Sequence, residues 1–392
     1  MADSPIYLDH HATTPVDPRV VEAMAPFWTE RFGNPASFQH RIGQEAAKRV
    51  EEATFHIARL LNADPLRIVF TSGATEANNL AIKGLLHPEL RKANGNKAPH
   101  VITTAVEHRA VLDPLKKLER RGVEVTRLPV DHTGSIRITD LKDAICEETR
   151  LVSIIWANNE VGTIHPILEI AELCQQHHVP LHTDAVQAVG KFPLNLTETP
   201  VNLLSCSAHK FYGPPGIGCL YVQPDEARPF RLEPQIEGGG HQGGIRSGTL
   251  PLPLIVGFGK ACELALAEQQ EEVERLRTLR DQFQKQLQAG IPDLVINGAV
   301  ENRLAGNLNI SIPNVDGDVL LSRLTDVAVS SGSACSSSNP EPSHVLRAMG
   351  IDEQLCRSSL RFGLGRWTTA AELDQAAAHI IEVVRLLRDQ PS

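Results

Sequence analysis

The sequence lacks the features that mark membrane, secreted or nucleic-acid-binding proteins. No apolar stretch approaches bilayer-spanning length, and the first residues show neither the basic region nor the apolar run of a signal peptide. Lysine and arginine number 38 against 47 aspartates and glutamates, which gives a formal net charge of -9 with no basic run. We therefore expect no membrane partner and no nucleic-acid partner.

Disulfide and dinucleotide-binding signatures are also missing. The 7 cysteines are odd in number and scattered, with no CxxC pair. This usage favours a reducing compartment, so we expect a cytoplasmic location and at most one or two reactive thiols. The glycine run that starts at Glu237 does not lie between a strand and a helix with an acid at the proper distance. It therefore does not predict a nicotinamide dehydrogenase.

A long alternation of strand and helix patterns is present instead. From about residue 67 to residue 222, short apolar runs alternate with helical periodicity. This pattern predicts an α/β fold with a mostly parallel sheet and helices on both faces. Helices are also predicted over Asp17–Arg31 and from about Leu252 to about Ala289, and the last hundred residues read as α+β. A chain of 392 residues suggests a large domain plus a smaller one, or two similar halves.

Polar residues that follow predicted strands are the candidate ligand-binding groups. In open parallel sheets, ligands bind beyond the carboxyl ends of the strands. The candidates are His108, Asn158, Asn159, Asp184, His209 and Lys210. Asp184 directly follows a buried strand, where a carboxylate is costly unless it is paired. It is either a helix N-cap or the counter-charge of a buried cationic ring nitrogen.

Lys210 ends the apolar run that begins at Val201. We predict a short buried strand that ends at this lysine, beside the protein interior. Burial disfavours the charged form of an amine and makes it a usable nucleophile or Schiff-base partner. The alternative is a lysine that caps the strand and points to water.

A second motif joins the predicted strand Arg67–Phe70 to a helix through small and hydroxylic residues. Backbone N–H groups at the start of that helix, with the hydroxyl of Ser72 or Thr75, would face an anion such as a phosphate. The alternative is an ordinary helix cap.

Two candidate residues lie in the last hundred positions. Cys335 stands in a run of Ser, Gly and Ala, which predicts an exposed loop and a reactive thiol, or else an incidental surface cysteine. Arg361 lies on a predicted strand, where its guanidinium could bind a carboxylate with both arms or form a structural ion pair.

Together these motifs resemble the cysteine desulfurases of the NifS/IscS type, in the class-V aminotransferase family. The resemblance runs from YLDHHATTPVDPRV to SLRFGLGRWT, and SSGSACSS with RSGTLP is similar to the group with a longer cysteine loop. His11 and Ala77 depart from it, because other members often carry Tyr or Ala, and Ser, at these positions. The resemblance implies a fold-type-I enzyme dependent on pyridoxal 5′-phosphate. It would have a large domain with a mostly parallel seven-stranded sheet flanked by helices, and a smaller α+β domain.

The resemblance also implies roles in binding the cofactor. Lys210 would form the Schiff base and later carry protons, Asp184 would pair with the pyridinium nitrogen, and His108 would stack on the ring. Gln187 would hydrogen-bond the phenolic oxygen, and Asn159 would also line the cofactor. The remaining cofactor contacts would be phosphate contacts from Ala74, Thr75, Ser207, His209 and, across a homodimer interface, Thr249.

The substrate implied by the resemblance is L-cysteine. Asn159 and Arg361, assisted by Asn34, would hold its carboxylate, and Cys335 would take its sulfur as a persulfide while alanine leaves. His108 would carry a proton near that thiol. The implied acceptors are an iron–sulfur scaffold, a carrier protein or a tRNA-thiolating enzyme. No metal ligand is predicted, since a lone cysteine is not a metal site; a transient contact of Cys335 with a cluster stays open.

We therefore expect a large cofactor-binding domain over residues 15–258. Residues 1–14 and 259–392 would form a small domain that carries the cysteine loop at about 330–342. The alternative functions are a cysteine or cystine C–S lyase, a selenocysteine lyase, and a catalytically silent scaffold. Cys335 in its loop argues against a C–S lyase, because simple elimination needs no protein thiol. The presence of Lys210, Asp184 and His108 together argues against a catalytically silent scaffold.

Overall fold

The computed structural model describes residues 5–93, 97–225, 229–331 and 342–389, and Cys335 lies outside these ranges. The strands are β1 (Ile6–Tyr7), β2 (Ile68–Thr71), β3 (His100–Thr104), β4 (Glu124–Leu128), β5 (Thr149–Ser153), β6 (Leu181–Asp184), β7 (Leu203–Ser207), β8 (Gly218–Val222), β9 (Val295–Asn297), β10 (Asn307–Ser311), β11 (Val327–Ala328) and β12 (Ser359–Gly363). The α-helices are α1 (Pro18–Met24), α2 (Pro26–Thr29), α3 (Arg41–Leu61), α4 (Ala74–Ala93), α5 (Arg109–Glu119), α6 (Ile138–Ala144), α7 (Ile167–Gln176), α8 (Leu252–Gly290), α9 (Gly317–Arg323), α10 (His344–Ala348), α11 (Glu353–Arg357) and α12 (Ala370–Arg388).

A seven-stranded sheet with the order β2-β8-β7-β6-β5-β3-β4 forms the centre of the fold. The ladders from β7 to β4 are all parallel, whereas β8 is antiparallel to both β2 and β7. The predicted mostly parallel seven-stranded sheet is confirmed. The central strands β3, β6 and β7 lack exposed residues, which explains their continuous apolar or small-residue runs.

The direction of winding reverses between β3 and β5. From β3 the chain moves outward to β4, then crosses back to β5 and continues through β6 to β7. Such a reversal opens a crevice at the carboxyl ends of the strands, where ligands bind in α/β sheets. The polar residues that follow β3, β5, β6 and β7 meet at this edge.

A three-stranded antiparallel sheet with the order β12-β10-β9 forms a second layer, and β1 pairs in parallel with β11. Its apolar cluster joins Leu8, from the start of the chain, to residues of β10, β12, α12 and the second half of α8. Phe283 and Phe362 pack edge to face there, with ring centroids 5.1 Å apart. The first half of α8 instead packs in the cluster around the large sheet, through residues such as Ile255 and Phe258.

Three local predictions differ from the structure. The single helix predicted over Asp17–Arg31 is two helices, because Pro26 starts a new one where it cannot continue the old. The strand predicted to end at Lys210 ends at Ser207, and a single 3-10 turn, Ala208–Lys210, follows it. The third difference is that β9 and α11 were not predicted, because both are too short to show a clear hydrophobic period.

Among the described residues, no helix combines the length and the apolar character needed to cross a bilayer.

Candidate active site

A cavity of about 540 Å³ lies at the carboxyl ends of the central strands. Its lining comes from the turn after β2, the segments after β3, β5, β6 and β7, and strand β12. The residues predicted for the site that line it are Ala74, Thr75, His108, Asn159, Asp184, Gln187, Ser207, His209, Lys210 and Arg361. The fold therefore brings ten widely separated candidates to one place.

Lys210 enters the cavity from the 3-10 turn after β7 and is half-buried. Its Nζ donates hydrogen bonds to the carbonyl oxygens of His11 and Ala12, both at 2.7 Å. These two carbonyls come from the segment after β1, which crosses beside the turn. They hold the amine at the cavity wall, in reach of a bound molecule, rather than in open solvent.

Asp184 ends β6 and is only 3% exposed. Its Oδ2 accepts a hydrogen bond from Asn78 Nδ2 at 2.7 Å, and its Oδ1 accepts one from the Val186 N–H at 3.1 Å. Each oxygen keeps further acceptor capacity. The carboxylate is thus held in place by donors yet able to bind a cation in the cavity. Asn78 was not among the predicted site residues, because its burial depends on how α4 packs on the sheet.

The start of α4 and the end of β7 form a cradle suited to a phosphate. The N–H groups of the first turn of this 20-residue helix face the cavity end that also holds Thr75, Ser207 and His209. A Cβ at Gly218 would lie 2.8 Å from Gly73 Cα, so only glycine lets β8 pass under this turn. Burial, and then the nearby Lys210 and Lys191, lower the pKa of His209 to about 4, so its ring is neutral at pH 7.

His108 caps the start of α5 and lines the cavity. The N–H of Ala110 donates to its Nδ1 at 3.1 Å, so the neutral ring carries its proton on Nε2. The adjacent Glu107 is fully buried, where its Oε1 accepts hydrogen bonds from Thr104 Oγ1 at 2.8 Å and from the Ile155 N–H at 2.9 Å. Burial, with a smaller contribution from Asp184, raises the pKa of Glu107 to about 8. Glu107 is therefore mostly protonated at pH 7.

Arg361 forms the ion pair that was one of the two roles considered for it. Its Nη2 donates to Asp9 Oδ1 at 2.8 Å and to Ser330 Oγ at 3.1 Å, which is a buried ion pair. Its Nη1 donates to the carbonyl oxygen of Asn159 at 3.1 Å. Because guanidinium carries five N–H groups, a second Nη1 proton and the Nε proton remain. Nε is buried and has no hydrogen-bond partner within the described residues, so Arg361 keeps donors for an anion.

Gln187 lines the cavity and is only 2% exposed. Its Nε2 donates to the carbonyl oxygen of His11 at 2.9 Å, while its Oε1 contacts Lys191 Nζ, and His11 Nδ1 at 3.0 Å. Neither His11 nor Lys191 was predicted as a site residue. His11 was noticed only as a departure from the family pattern, and nothing in the sequence marks Lys191.

Two of the predicted residues, both among the described ones, are not part of this cavity. Asn34 and Thr249 are exposed and lie outside its lining. Cys335 lies outside the described residues. No group of three or more His, Cys, Asp or Glu side chains that could hold a metal occurs in the described ranges.

The residues present fit pyridoxal 5′-phosphate. A buried carboxylate, Asp184, suits a protonated ring nitrogen, and the glycine-lined cradle suits a phosphate. Asn78 Oδ1 is buried with no hydrogen-bond partner in the described structure, which leaves an acceptor beside Asp184. Lys210 supplies the amine that such a cofactor requires.

Comparison with known proteins agrees with this arrangement. The aminotransferase class-V family model matches residues 6–376. A protein named cysteine desulfurase IscS from Anaeromyxobacter sp. (strain Fw109-5) is 50% identical over 385 residues, which cover 98% of this chain and 94% of that protein. A solved structure titled NifS-like protein is 36% identical, has a TM-score of 0.88, and covers 98% of this chain and 100% of its own.

A second solved structure was determined with a bound amino acid. It is titled SspA in complex with cysteine, is 36% identical, has a TM-score of 0.79, and covers 93% of this chain and 100% of its own. These matches confirm the family resemblance and the fold-type-I architecture expected from the sequence. The chain belongs to the class-V aminotransferase family.

Proposed function

We propose that the cavity around Lys210 is where L-cysteine loses its sulfur, with the residue roles expected from the sequence. The chain is a pyridoxal-phosphate-dependent cysteine desulfurase that serves iron–sulfur cluster biogenesis. The residue roles are supported by one observation: ten of the predicted residues line the same cavity. When bound, pyridoxal 5′-phosphate supplies an electron sink for charge that develops on the substrate carbons.

Binding of the substrate carboxylate falls to Arg361 and Asn159. The remaining Nη1 and Nε protons of Arg361 are hydrogen-bond donors for the carboxylate, in addition to the positive charge of the guanidinium. Asp9 and Ser330 hold the far side of the guanidinium and fix its plane. The amino acid is thereby oriented with its α-carbon toward Lys210.

Proton movement falls to Lys210 and His108. Lys210 Nζ, held by two carbonyl oxygens, can take and return a proton at the substrate carbons when it is unprotonated. The neutral ring of His108 can donate a hydrogen bond from Nε2, and it can deliver that proton only after it has gained a second one on Nδ1. Glu107, mostly protonated at pH 7, adds little negative charge beside Asp184, which supports pairing of Asp184 with the ring nitrogen.

Sulfur transfer falls to Cys335, which lies outside the described residues. Its thiolate attacks the substrate sulfur, the S–S bond forms, and the electron pair of the C–S bond stays with the β-carbon, which is then protonated. Cysteine and an enzyme thiol thus become alanine and an enzyme persulfide, with no outside oxidant. The acceptors we propose are proteins such as an iron–sulfur scaffold, in the cytoplasm.

We further propose a homodimer in which Thr249 reaches the cofactor phosphate of the neighbouring subunit. Thr249 is exposed and lies outside its own cavity, which fits such a role. The side chains of Trp28, Phe32 and Phe38, close to one another in the sequence, are all exposed apolar groups that a second subunit would cover. The proposed domain division is residues 15–258 against 1–14 with 259–392, supported by the separate apolar clusters of the two sheets.

The test is to identify the products formed from L-cysteine with a thiol reductant present. Wild type should give alanine and sulfide, and the Cys335→Ser variant should lose both while still binding the cofactor. Cys146→Ser is the matched control, since Cys146 is the exposed cysteine among the described residues. Pyruvate, ammonia and sulfide, retained in Cys335→Ser, would contradict the proposal and identify a C–S lyase. The same assay with selenocysteine as the substrate distinguishes a cysteine desulfurase from a selenocysteine lyase.

A further inference from the structure

Lys191 places a second amine beside the active-site cavity. It lies in the segment after β6, four residues beyond Gln187, and is half-buried. Its Nζ contacts Gln187 Oε1 and lies 3.1 Å from His11 Nδ1. None of the roles described so far uses this lysine.

The contacts around Gln187 define which of its groups is left for a ligand. A side-chain amide has two N–H donors and one oxygen acceptor. The oxygen faces Lys191 Nζ and His11 Nδ1, and one N–H is donated to the His11 carbonyl oxygen. The second N–H is therefore the donor that is left for a ligand in the cavity, which Gln187 lines. Rotating the amide by 180° would put its oxygen against the His11 carbonyl, where two acceptors repel.

We propose that Lys191 is a positioning residue that holds Gln187 with an amide N–H directed at the cofactor's phenolic oxygen. This inference rests on the proposed function, since it concerns the same cofactor. Lys191 acts through Gln187 and need not touch the cofactor. A donor aimed at the phenolic oxygen stabilises negative charge there, and so lowers the pH at which the cofactor bound at Lys210 loses its proton.

The role of Lys191 does not require a positive charge. Burial, and then the charges of Lys210 and Arg361, lower the pKa of Lys191 well below its usual range. A neutral amine still has two N–H groups, enough to donate to Gln187 Oε1. The titratable and charged groups that face Lys191 are His10, His11, His209, Lys210, Glu272 and Arg361.

A competing explanation is that Lys191 acts only through its electrostatic effect on Lys210. Loss of a nearby positive charge would also raise the pH at which the bound cofactor is half deprotonated. A single Lys191 variant therefore cannot separate this electrostatic explanation from positioning through Gln187. A double-mutant cycle with Gln187 can, because a residue that works through Gln187 has no effect once that amide is gone.

The experiment titrates the visible absorption band of the bound cofactor with pH, in protein loaded with pyridoxal 5′-phosphate. We expect Lys191→Met and Gln187→Ala each to raise the midpoint by about 1 pH unit, a tenfold change in the proton equilibrium. The double variant should shift no further than Gln187→Ala alone. Lys83→Met is the matched control, because Lys83 is also partly buried but lies on α4 beside Lys117, and its midpoint should equal wild type.

Additive shifts in the double variant, or an unchanged midpoint in Lys191→Met, would overturn the inference. Lys191→Ala replaces the methionine variant in the cycle if circular dichroism shows that Lys191→Met does not fold. A wild-type protein that forms no cofactor band would instead contradict the proposed function. The two failures are therefore distinguishable.

Discussion

Glu107 provides a sharp test of the electrostatics around Asp184. The substitution Glu107→Gln keeps an oxygen to accept from Thr104 Oγ1 and the Ile155 N–H, and replaces the protonated oxygen with an amide nitrogen. It therefore mimics the neutral acid and removes the ability to ionise. Oε2 is buried without a hydrogen-bond partner in the described structure, so ionisation there has no local compensation.

The magnitude follows from the raised pKa. The carboxyl has a pKa of about 8 in the folded protein against 4.5 as the reference value. Between these values the folded state keeps the proton that the unfolded state has lost, so the free energy of unfolding falls as pH rises. The slope is about 1.4 kcal/mol per pH unit. From pH 5.5 to pH 8, wild type should lose about 3 kcal/mol relative to Glu107→Gln.

The assay is chemical unfolding of wild type and variant at several pH values, followed by tryptophan fluorescence. The difference between the two free energies of unfolding should grow with pH across this window. Glu119→Gln is the control, because Arg127 lowers the pKa of Glu119 and its contribution is constant above pH 5.5. A difference between wild type and Glu107→Gln that does not change with pH would refute the reasoning.

Three further substitutions test other contacts. Asn78→Ala removes the 2.7 Å hydrogen bond to Asp184 and should weaken cofactor retention about tenfold, measured by dialysis and absorbance; unchanged retention would contradict this. Tyr212→Phe removes the hydroxyl that donates to Glu272 at 2.8 Å, and should lower the free energy of unfolding by about 1 to 2 kcal/mol in urea titrations. Arg361→Lys keeps the charge but not the planar set of N–H donors, so KM for L-cysteine should rise about tenfold with a smaller change in kcat; an unchanged KM would exclude the proposed carboxylate contact.

Sequence patterns were sufficient where a local rule decides the structure. Polar residues at strand ends, such as His108 and Asp184, were predicted to share one edge of the sheet because parallel strands end together. The long helix was predicted over Leu252–Ala289 and is observed over Leu252–Gly290, since its hydrophobic period is sustained. The cavity confirms that these strand ends converge.

The contacts that sequence patterns could not reveal depend on packing between distant segments. Asn78 reaches Asp184 across 106 residues, and Lys191 meets His11 across 180. Nothing local distinguishes a buried asparagine or lysine from an exposed one on such elements. Arg361 illustrates the same limit, since its ion pair with Asp9 and its cavity-facing protons could not both be predicted from one strand.

The pairing of β1 with β11 has a consequence for how the chain is made. Ile6 aligns with Val327, and Leu8 packs in the apolar cluster of the second sheet. During synthesis the amino-terminal segment emerges first, yet its partner strand emerges more than three hundred residues later. The large sheet, made from the continuous stretch between β2 and β8, can form while the chain is still growing. Arg361, which lines the cavity, lies on β12, and Asp9 pairs with Gly363 of the same strand, so the active site is completed only when β12 has been made.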